Sequence, residues 1–220
     1  MSLVSALFKL IPLTGSSCRW RLRWALAPLL AASVTAAAAD TILVLGDSIS
    51  AAYGLPREQG WVALLAQQMP EHTIVNASIS GETTEGGLQR LPQLLERHQP
   101  DVLIIELGGN DGLRGFPLQR LRANLSSMTE LGQAAGARVL LVGMKIPPNY
   151  GPRYTSGFEQ AFIDTAAQYE TALVPFFLER VAAEPGMMQD DGIHPTAAAQ
   201  QRLLENMLPQ LEALLKAPSS

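Results

Sequence analysis

The hydrophobic pattern of this chain alternates between short, almost continuous apolar runs and longer segments in which apolar residues recur at helical spacing. The short runs have the length of β-strands, and strands without polar alternation are typical of a parallel sheet that is buried on both faces. The longer segments predict amphipathic helices. The predicted strands are Thr41–Gly46, Ile74–Ala77, Val102–Leu107, Val139–Gly143 and Leu173–Phe176. The predicted helices are Trp61–Met69, Gly86–Arg97, Pro117–Ala135, Phe158–Tyr169 and a last helix from about Thr196 to Lys216.

The order of these elements predicts the fold class. Strands that alternate with helices form a parallel sheet with helical crossovers, so we expect a three-layer α/β/α sandwich. The chain shows no internal repeat and no linker between domains, and residues 40–220 are expected to form a single α/β domain. The most irregular segment is Pro147–Pro152, whose length and position suit a loop at the rim of a site.

The first 39 residues differ from the rest of the chain. They contain four basic side chains and no acidic one, and an uncharged run over residues 24–39 ends in four alanines. A basic start, an apolar middle and a small-residue end predict a secretory signal peptide that is cleaved after Ala39. An uncleaved membrane anchor is the alternative, but a run of 16 residues is shorter than the roughly 20 that span a bilayer. We therefore expect cleavage and no membrane span in the mature chain.

The charge of the remaining chain limits the classes of partner. Residues 40–220 carry 12 Lys and Arg against 20 Asp and Glu, a net charge of −8. An acidic surface argues against nucleic acid and anionic membranes as main partners.

The only cysteine, Cys18, lies in the predicted signal peptide, so the mature chain is expected to have no intramolecular disulfide. We expect the mature protein to be a monomer.

Four short polar segments contain the candidate chemistry: Gly46–Ser48, Ser80–Thr83, Gly108–Asp111 and Asp191–His194. Three of them directly follow predicted strands, and open parallel sheets place their active sites at the carboxyl ends of the strands. Together the segments supply a hydroxyl, donors for an oxyanion, and a base with its carboxylate. Those are the parts of a serine hydrolase.

Ser48 is the candidate nucleophile. A serine just after a strand is common as the N-cap of a helix, which is the alternative role. The Gly-x-Ser-x-Gly elbow of the α/β-hydrolases is absent, since residues 46–50 read Gly-Asp-Ser-Ile-Ser, so that fold is not supported. The other polar segments are what favour the catalytic role of Ser48.

His194 is the candidate base. Asp191 precedes it by three residues, a spacing that lets a carboxylate reach an imidazole nitrogen, fix the tautomer and stabilise the imidazolium. Asp190 is the competing carboxylate and is expected to be a surface neighbour. His72 and His98 lie in polar segments next to prolines and are expected to be exposed loop histidines.

Gly81 and Asn110 are the candidate oxyanion donors, together with the backbone N–H of Ser48. A glycine lets a backbone N–H approach a substrate closely, and the side-chain amide of Asn110 offers a further donor. The alternative is that Gly81 only makes a turn and that Asn110 caps a helix.

With these residues the chain resembles the SGNH hydrolases (GDSL-type lipases and esterases), a family named after its Ser, Gly, Asn and His. Ser48, Gly81, Asn110 and the Asp191/His194 pair occupy the four blocks of that family in the right order, and the resemblance covers essentially the whole predicted domain. It is strongest to the bacterial multifunctional thioesterase, protease and lysophospholipase group. The segments that carry this resemblance are Leu45–Ala51, Gly108–Gly112, Pro148–Gly151 and Met188–Pro195.

The resemblance implies a flavodoxin-like, five-stranded parallel sheet of order 2-1-3-4-5. It also implies an acyl-enzyme mechanism on Ser48 that needs no metal and no cofactor, in a periplasmic or secreted bacterial enzyme. One departure is Ile49, where the family name has Leu. This conservative change puts nothing about the chemistry in doubt.

We expect the substrate to be a small ester or thioester with an acyl chain. Lysophospholipids, acyl-thioesters and simple esters all fit this chemistry. Ile146, Pro147 and Tyr150 are candidates for lining an acyl groove, and the alternative is that they only pack their loop.

Two other classes of function are possible for this sequence. A metal-dependent phosphoesterase would use Asp47, Asn110, Asp111, Asp191 and His194, but a single well-placed histidine and the absence of metal-ligand spacings argue against it. A non-catalytic binding module is the second alternative, because α/β sandwiches carry unrelated functions. Such a module has no reason to keep a hydroxyl, an acid–base pair and oxyanion donors together.

Overall fold

The computed structural model describes residues 39–217, in which five strands form one sheet between helices. The strands are β1 (Thr41–Gly46), β2 (Thr73–Asn76), β3 (Val102–Glu106), β4 (Arg138–Val142) and β5 (Ala172–Val174). The helices are α1 (Trp61–Gln68), α2 (Thr84–His98), α3 (Gly109–Leu113), α4 (Leu118–Ala134), α5 (Pro152–Gln168) and α6 (Gln200–Lys216). The strand order is β2-β1-β3-β4-β5, with every neighbouring pair parallel. The prediction of an α/β sandwich with sheet order 2-1-3-4-5 is confirmed.

Most predicted elements lie within two residues of their observed bounds, and three differences have local causes. Helix α5 begins at Pro152, well before the predicted Phe158, because a proline suits the first turn of a helix, where its missing N–H has no helical partner. Helix α6 begins at Gln200, because a 3₁₀ turn occupies Ala197–Ala199. Helix α3 was not predicted, since its five residues are too few to show a periodic pattern.

The sheet is the centre of the hydrophobic core. Residues Ile42 to Leu45 of β1 and every residue of β3 are buried, which explains their continuous apolar runs. Helix α1 packs against α6, and α4 packs against both α2 and α5. The edge strands β2 and β5 are only partly buried, as expected for strands with a single neighbour in the sheet.

The carboxyl ends of the strands lie at one edge of the sheet, because all five strands are parallel. Ser48 follows β1, Gly81 follows β2, and Asn110 follows β3. The loop that contains His194 lies between β5 and α6. The four predicted segments therefore come from four different strand ends that meet at the same edge.

The predicted signal peptide, residues 1–39, lies outside the described residues except for Ala39. Its cleavage and the start of the mature domain at residue 40 therefore stay predictions. Within residues 39–217, no helix is long and apolar enough to cross a membrane.

Gln200, the first residue of α6, links α6 to α1. Its side chain is buried, and its Oε1 accepts a hydrogen bond from the backbone N–H of Trp61 at 3.0 Å. Trp61 is the first residue of α1, so its N–H has no partner within its own helix. The Nε2 of Gln200 donates to the carbonyl of Thr196 at 3.2 Å. The same side chain therefore also holds the end of the loop that contains His194.

We predict that Gln200→Leu lowers the free energy of unfolding by about 1–3 kcal/mol, because it leaves the buried N–H of Trp61 without an acceptor. Urea unfolding followed by tryptophan fluorescence measures this loss. Gln201→Leu is the matched control, since Gln201 is the exposed neighbour in the same helix, and a surface change of this kind stays within about 0.5 kcal/mol. Equal losses in the two variants would contradict the role given to Gln200.

Candidate active site

Ser48 lies two residues beyond β1, in a tight turn. The N–H of Ala51 donates to the carbonyl of Asp47 at 3.0 Å, and the N–H of Tyr53 donates to the carbonyl of Ser48 at 2.9 Å. The next α-helix, α1, begins only at Trp61, so Ser48 is not the N-cap of a helix. Its side chain is mostly buried, with 8% of the residue exposed, and it lines a cleft at the carboxyl edge of the sheet.

His194 lies within hydrogen-bond distance of both Ser48 and Asp191. Its Nε2 is 2.9 Å from the Oγ of Ser48, and its Nδ1 is 2.6 Å from the Oδ2 of Asp191. The Oδ1 of Asp191 accepts hydrogen bonds from the backbone N–H groups of Ile193 and His194 at 2.9 and 3.0 Å. The three side chains that the sequence predicts to be nucleophile, base and carboxylate are therefore within hydrogen-bond distance of one another in that order. Asp190 is exposed and does not take part in these contacts.

The contacts of Asp191 determine which atoms carry protons. The hydrogen bond from the His194 ring, with those from the backbone N–H groups of His194 and Ile193, lowers the pKa of Asp191 to about 2. This holds although 39% of its side chain is exposed. A carboxylate only accepts hydrogen bonds, so the Nδ1 of His194 carries a proton. In the neutral imidazole, Nε2 then accepts a hydrogen bond from the hydroxyl of Ser48.

Asn110 lines the same cleft from the short helix α3. Its Nδ2 donates to the Oδ2 of Asp47 at 3.0 Å, and the Oδ1 of Asp47 accepts the N–H of Ile49 at 3.0 Å. One carboxyl group therefore holds both the residue that follows Ser48 and the amide of Asn110. Because a side-chain amide has two N–H bonds, the contact with Asp47 leaves one for a substrate oxygen.

Gly81 lies in the exposed turn after β2, with a φ of +79° that favours glycine. The Nη2 of Arg114 donates to its carbonyl at 3.1 Å, which links this turn to the end of α3. Gly81 does not line the cleft described above. Within residues 39–217, neither its N–H nor that of Ser48 donates a hydrogen bond to another group of the chain.

Asp111, a ligand in the metal-dependent alternative, is bonded to the start of α2. It is buried and accepts hydrogen bonds from the N–H and the Oγ1 of Thr84 at 2.9 and 2.6 Å. These bonds tie α3, and with it Asn110, to α2. In the described part of the chain, no group of three or more His, Cys, Asp or Glu is placed to hold a metal ion.

The prediction that His72 and His98 are exposed is wrong, although His72 does lie in a loop, between α1 and β2. The ring of His72 is largely buried, and its Nδ1 accepts a hydrogen bond from the backbone N–H of Asp40 at 3.0 Å. His98 is the last residue of α2 and is partly buried. Each precedes the start of a strand, so both lie at the amino edge of the sheet, opposite His194.

Two buried carboxyl groups lie behind Ser48, and the sequence analysis missed their part in the site. Glu106 ends β3, and its Oε2 accepts the Ser50 hydroxyl at 2.6 Å and the N–H of Asp47 at 3.3 Å. Burial raises the pKa of Asp47 to about 6. Burial, together with the nearby charge of Asp47, also raises the pKa of Glu106. The available signal was an acidic residue inside the apolar run Val102–Leu107.

A cleft of about 430 Å³ opens beside Ser48 and His194. Ile146 and Pro147 line it, whereas Tyr150 does not. The hydroxyl of Tyr150 donates to the carbonyl of Leu113 at 2.7 Å, so this side chain packs its loop against α3. Other apolar residues that line the cleft include Leu113, Met144, Phe176, Leu178, Met188 and Ile193.

The chain is similar to known proteins over most of its length. Residues 44–202 match the model of the GDSL-like lipase/acylhydrolase family. The chain is 57% identical over 183 residues to the esterase TesA of Pseudomonas aeruginosa, across 81% of this chain and 91% of that protein. It is 45% identical over 198 residues to thioesterase 1/protease 1/lysophospholipase L1 of Escherichia coli (strain K12), across 90% of this chain and 94% of that protein. A crystal structure of the psychrotrophic esterase EstA from Pseudoalteromonas sp., inhibited by monoethylphosphonate, is 42% identical with a TM-score of 0.78, across 81% of this chain and 100% of that one.

We predict that the two buried carboxyl groups make the free energy of unfolding fall as the pH rises from about 4 to about 7. Their pKa values are higher in the folded chain than in the unfolded chain, where they are near 4. The stabilisation by the bound protons is fully present below about pH 4. For Asp47 it is lost as the pH rises through about 6, and for Glu106 it is lost as the pH rises through the raised pKa of that group. Urea unfolding at several pH values across this range measures the free energy of unfolding. Glu106→Gln should make this free energy depend less steeply on pH.

Glu96→Gln is the matched control for Glu106→Gln, since Glu96 is exposed. Its unfolding free energy should vary with pH in the same way as that of the wild type. If the wild type and both variants showed the same pH dependence, the attribution of the slope to Glu106 would be contradicted. Asp191 has the opposite sign: its lowered pKa stabilises the fold above about pH 4, and this stabilisation is lost as the pH falls toward about 2. Asp191 therefore contributes little to the slope above about pH 4.

Proposed function

Since this chain belongs to the GDSL-like lipase/acylhydrolase family, we propose that it is a serine hydrolase that cleaves carboxylic esters and acyl-thioesters through an acyl-enzyme on Ser48. The observation that carries this proposal is the line of hydrogen bonds from Ser48 through His194 to Asp191, with distances of 2.9 and 2.6 Å. A nucleophile, a base and a carboxylate in this arrangement are the parts of acyl transfer by serine hydrolases.

Acylation begins when the Oγ of Ser48 attacks the carbonyl carbon of the substrate and the Nε2 of His194 takes the hydroxyl proton. Asp191 keeps the imidazole turned toward Ser48, and its negative charge stabilises the imidazolium. His194 then gives the proton to the leaving alcohol or thiol as its bond to the carbonyl carbon breaks. The acyl group stays on Ser48 as an ester.

Deacylation repeats these steps with water as the nucleophile. His194 takes a proton from the water molecule as its oxygen attacks the acyl carbon. When the bond to Oγ breaks, His194 returns the proton to Ser48. The products are the free acid and the enzyme in its starting state.

The oxyanion of each tetrahedral intermediate is bound, in this proposal, by the N–H groups of Ser48 and Gly81 and by the amide of Asn110. Two observations support it. Within residues 39–217 the two backbone N–H groups donate to no other group of the chain, and the contact with Asp47 orients the amide of Asn110. One preorganised donor of this kind contributes about 3 kcal/mol to the transition state.

The cleft supports an acyl chain as the part of the substrate that is recognised. Its lining is mostly apolar and includes Ile146, Pro147, Phe176 and Leu178. The names of the similar proteins, an esterase and a thioesterase/lysophospholipase, agree with an acyl ester or thioester as substrate. We therefore propose small acyl esters and acyl-thioesters, bound with the acyl chain in this cleft.

We predict that a fluorophosphonate probe labels Ser48 and that Ser48→Ala abolishes both the labelling and the hydrolysis of p-nitrophenyl esters. Such a probe forms its covalent bond with an activated hydroxyl. Mass spectrometry locates the label, and Ser156→Ala, which changes an exposed serine of α5, is the matched control that should keep both properties.

Near wild-type hydrolysis by pure Ser48→Ala protein would contradict the acyl-enzyme proposal. Treatment with a chelator separates the metal-dependent alternative, because hydrolysis through Ser48 should survive it. A protein that binds the ester without labelling or turnover would be the binding module considered above.

We also predict that kcat/KM rises with acyl chain length until the cleft is full, by up to about fourfold per methylene, since each buried methylene contributes about 0.8 kcal/mol. A series of p-nitrophenyl esters from acetyl to dodecanoyl measures this. Ile146→Ala should reduce the rate more for long chains than for acetyl. Ile163→Ala, on an exposed position of α5 outside the cleft (47% exposed), should leave the profile unchanged. A flat profile across the series would rule out the cleft as the acyl site.

A further inference from the structure

The two halves of the site are joined by more than the contact between Ser48 and His194. A second path runs through Tyr53 and Gln189. The N–H of Tyr53 donates to the carbonyl of Ser48 at 2.9 Å, and the Nε2 of Gln189 donates to the carbonyl of Tyr53 at 2.9 Å. The N–H of Gln189 in turn donates to the carbonyl of His194 at 2.7 Å. Hydrogen bonds therefore connect the backbone of Ser48 to the backbone of His194 without using either reacting side chain.

The side chain of Gln189 is closely fitted to this position. Its Nε2 also donates to the carbonyl of Pro195 at 3.0 Å, so both N–H bonds of the amide have acceptors, one on each side of the site. Gly54 makes room for the amide, because a Cβ there would lie 2.6 Å from the Oε1 of Gln189. The φ of Gly54 is +76°, which favours glycine at the same place.

The path also places the ring of Tyr53 against His194. The centroids of the two rings are 4.3 Å apart and their planes are tilted by 34°. Tyr53 is 51% exposed, so its ring lies between the imidazole and solvent rather than in the core. A ring in this position limits rotation of the imidazole, and an aromatic face close to a cation stabilises it.

We propose that Gln189 is a positioning residue, which holds the loop of His194 against the turn of Ser48 through the backbone of Tyr53. This inference rests on the proposed function, since it concerns the distance over which the proton of Ser48 moves. Without the amide, the separation of Oγ and Nε2 depends on fewer contacts. A misplacement of about 1 Å at reacting atoms costs up to about 100-fold in rate.

The test compares two variants with a matched control. Gln189→Met keeps the length of the side chain and removes its donor, and Gln189→Glu keeps the shape but offers only acceptors beside two carbonyl groups. Gln133→Met is the control, because the Nε2 of Gln133 donates to the carbonyl of Tyr169 at 2.8 Å, a hydrogen bond of the same kind away from the site. For each protein we would measure kcat and KM for a p-nitrophenyl ester, the rate of fluorophosphonate labelling, and urea unfolding.

We expect both Gln189 variants to be folded and to lose about tenfold or more in kcat, with the labelling rate falling by a similar factor. KM should change by less than about twofold. A misplaced His194 slows acylation and deacylation to a similar extent, and the cleft that binds the substrate is unchanged. Gln133→Met should match the wild type in all three kinetic values. Tyr53→Ala keeps the backbone path and removes the ring, so its kcat should fall by only about two- to fivefold.

Three results would overturn the proposal: kcat and labelling close to wild type in both Gln189 variants, an equal loss in Gln133→Met, or failure of both Gln189 variants to fold. If only Gln189→Met fails to fold, Gln189→Glu decides. A wild-type protein that the probe does not label at Ser48 would refute the proposed function itself. If the probe labels Ser48 of the wild type and labels the Gln189 variants at the same rate, only the role of Gln189 is refuted.

Discussion

The parallel register of β1 and β3 is the constraint on which the site depends. It pairs Gly46 with Glu106, so the segments that follow the two strands leave the sheet at the same level. Asp47 and Ser48 follow one strand and Asn110 follows the other, and the hydrogen bond of 3.0 Å between Asp47 and Asn110 spans the gap. A slip of one residue would turn the side chains of a strand to the opposite face. Ser48 and the amide of Asn110 would then no longer share a cleft.

The carboxyl groups of Asp47 and Glu106 show that the fold gives up some stability at this edge of the sheet. A buried carboxyl group is costly unless its hydrogen bonds are made, and the Oε1 of Glu106 has no hydrogen-bond partner in the described part of the chain. The same two groups hold Ser50, the backbone of Asp47 and the amide of Asn110 in place. Local departures from the most stable arrangement are common where a protein has a functional site.

The sequence was sufficient for residues whose chemistry follows from local pattern. Ser48 stands directly after an apolar strand, and Asp191 lies three residues before His194, so residue type and spacing alone point to their places in the site. The contacts of Glu106 and Gln189 depend instead on neighbours in space. The hydrogen bond from Gln189 to Tyr53 joins residues 136 positions apart, a separation that no periodic pattern along the chain reveals. His72 was misjudged for the same reason, because its Nδ1 contacts the backbone of Asp40, which lies 32 positions earlier and just before β1.

The contact between Ser48 and His194 joins residues 146 positions apart. Contacts of such long range form late in folding, because closing a long loop costs chain entropy before the contact can repay it. A polypeptide that ends before β5 contains the hydroxyl and the amide of Asn110 but lacks the imidazole. In the proposed mechanism, ester hydrolysis therefore begins only once the segment that contains His194 has docked beside the end of β1.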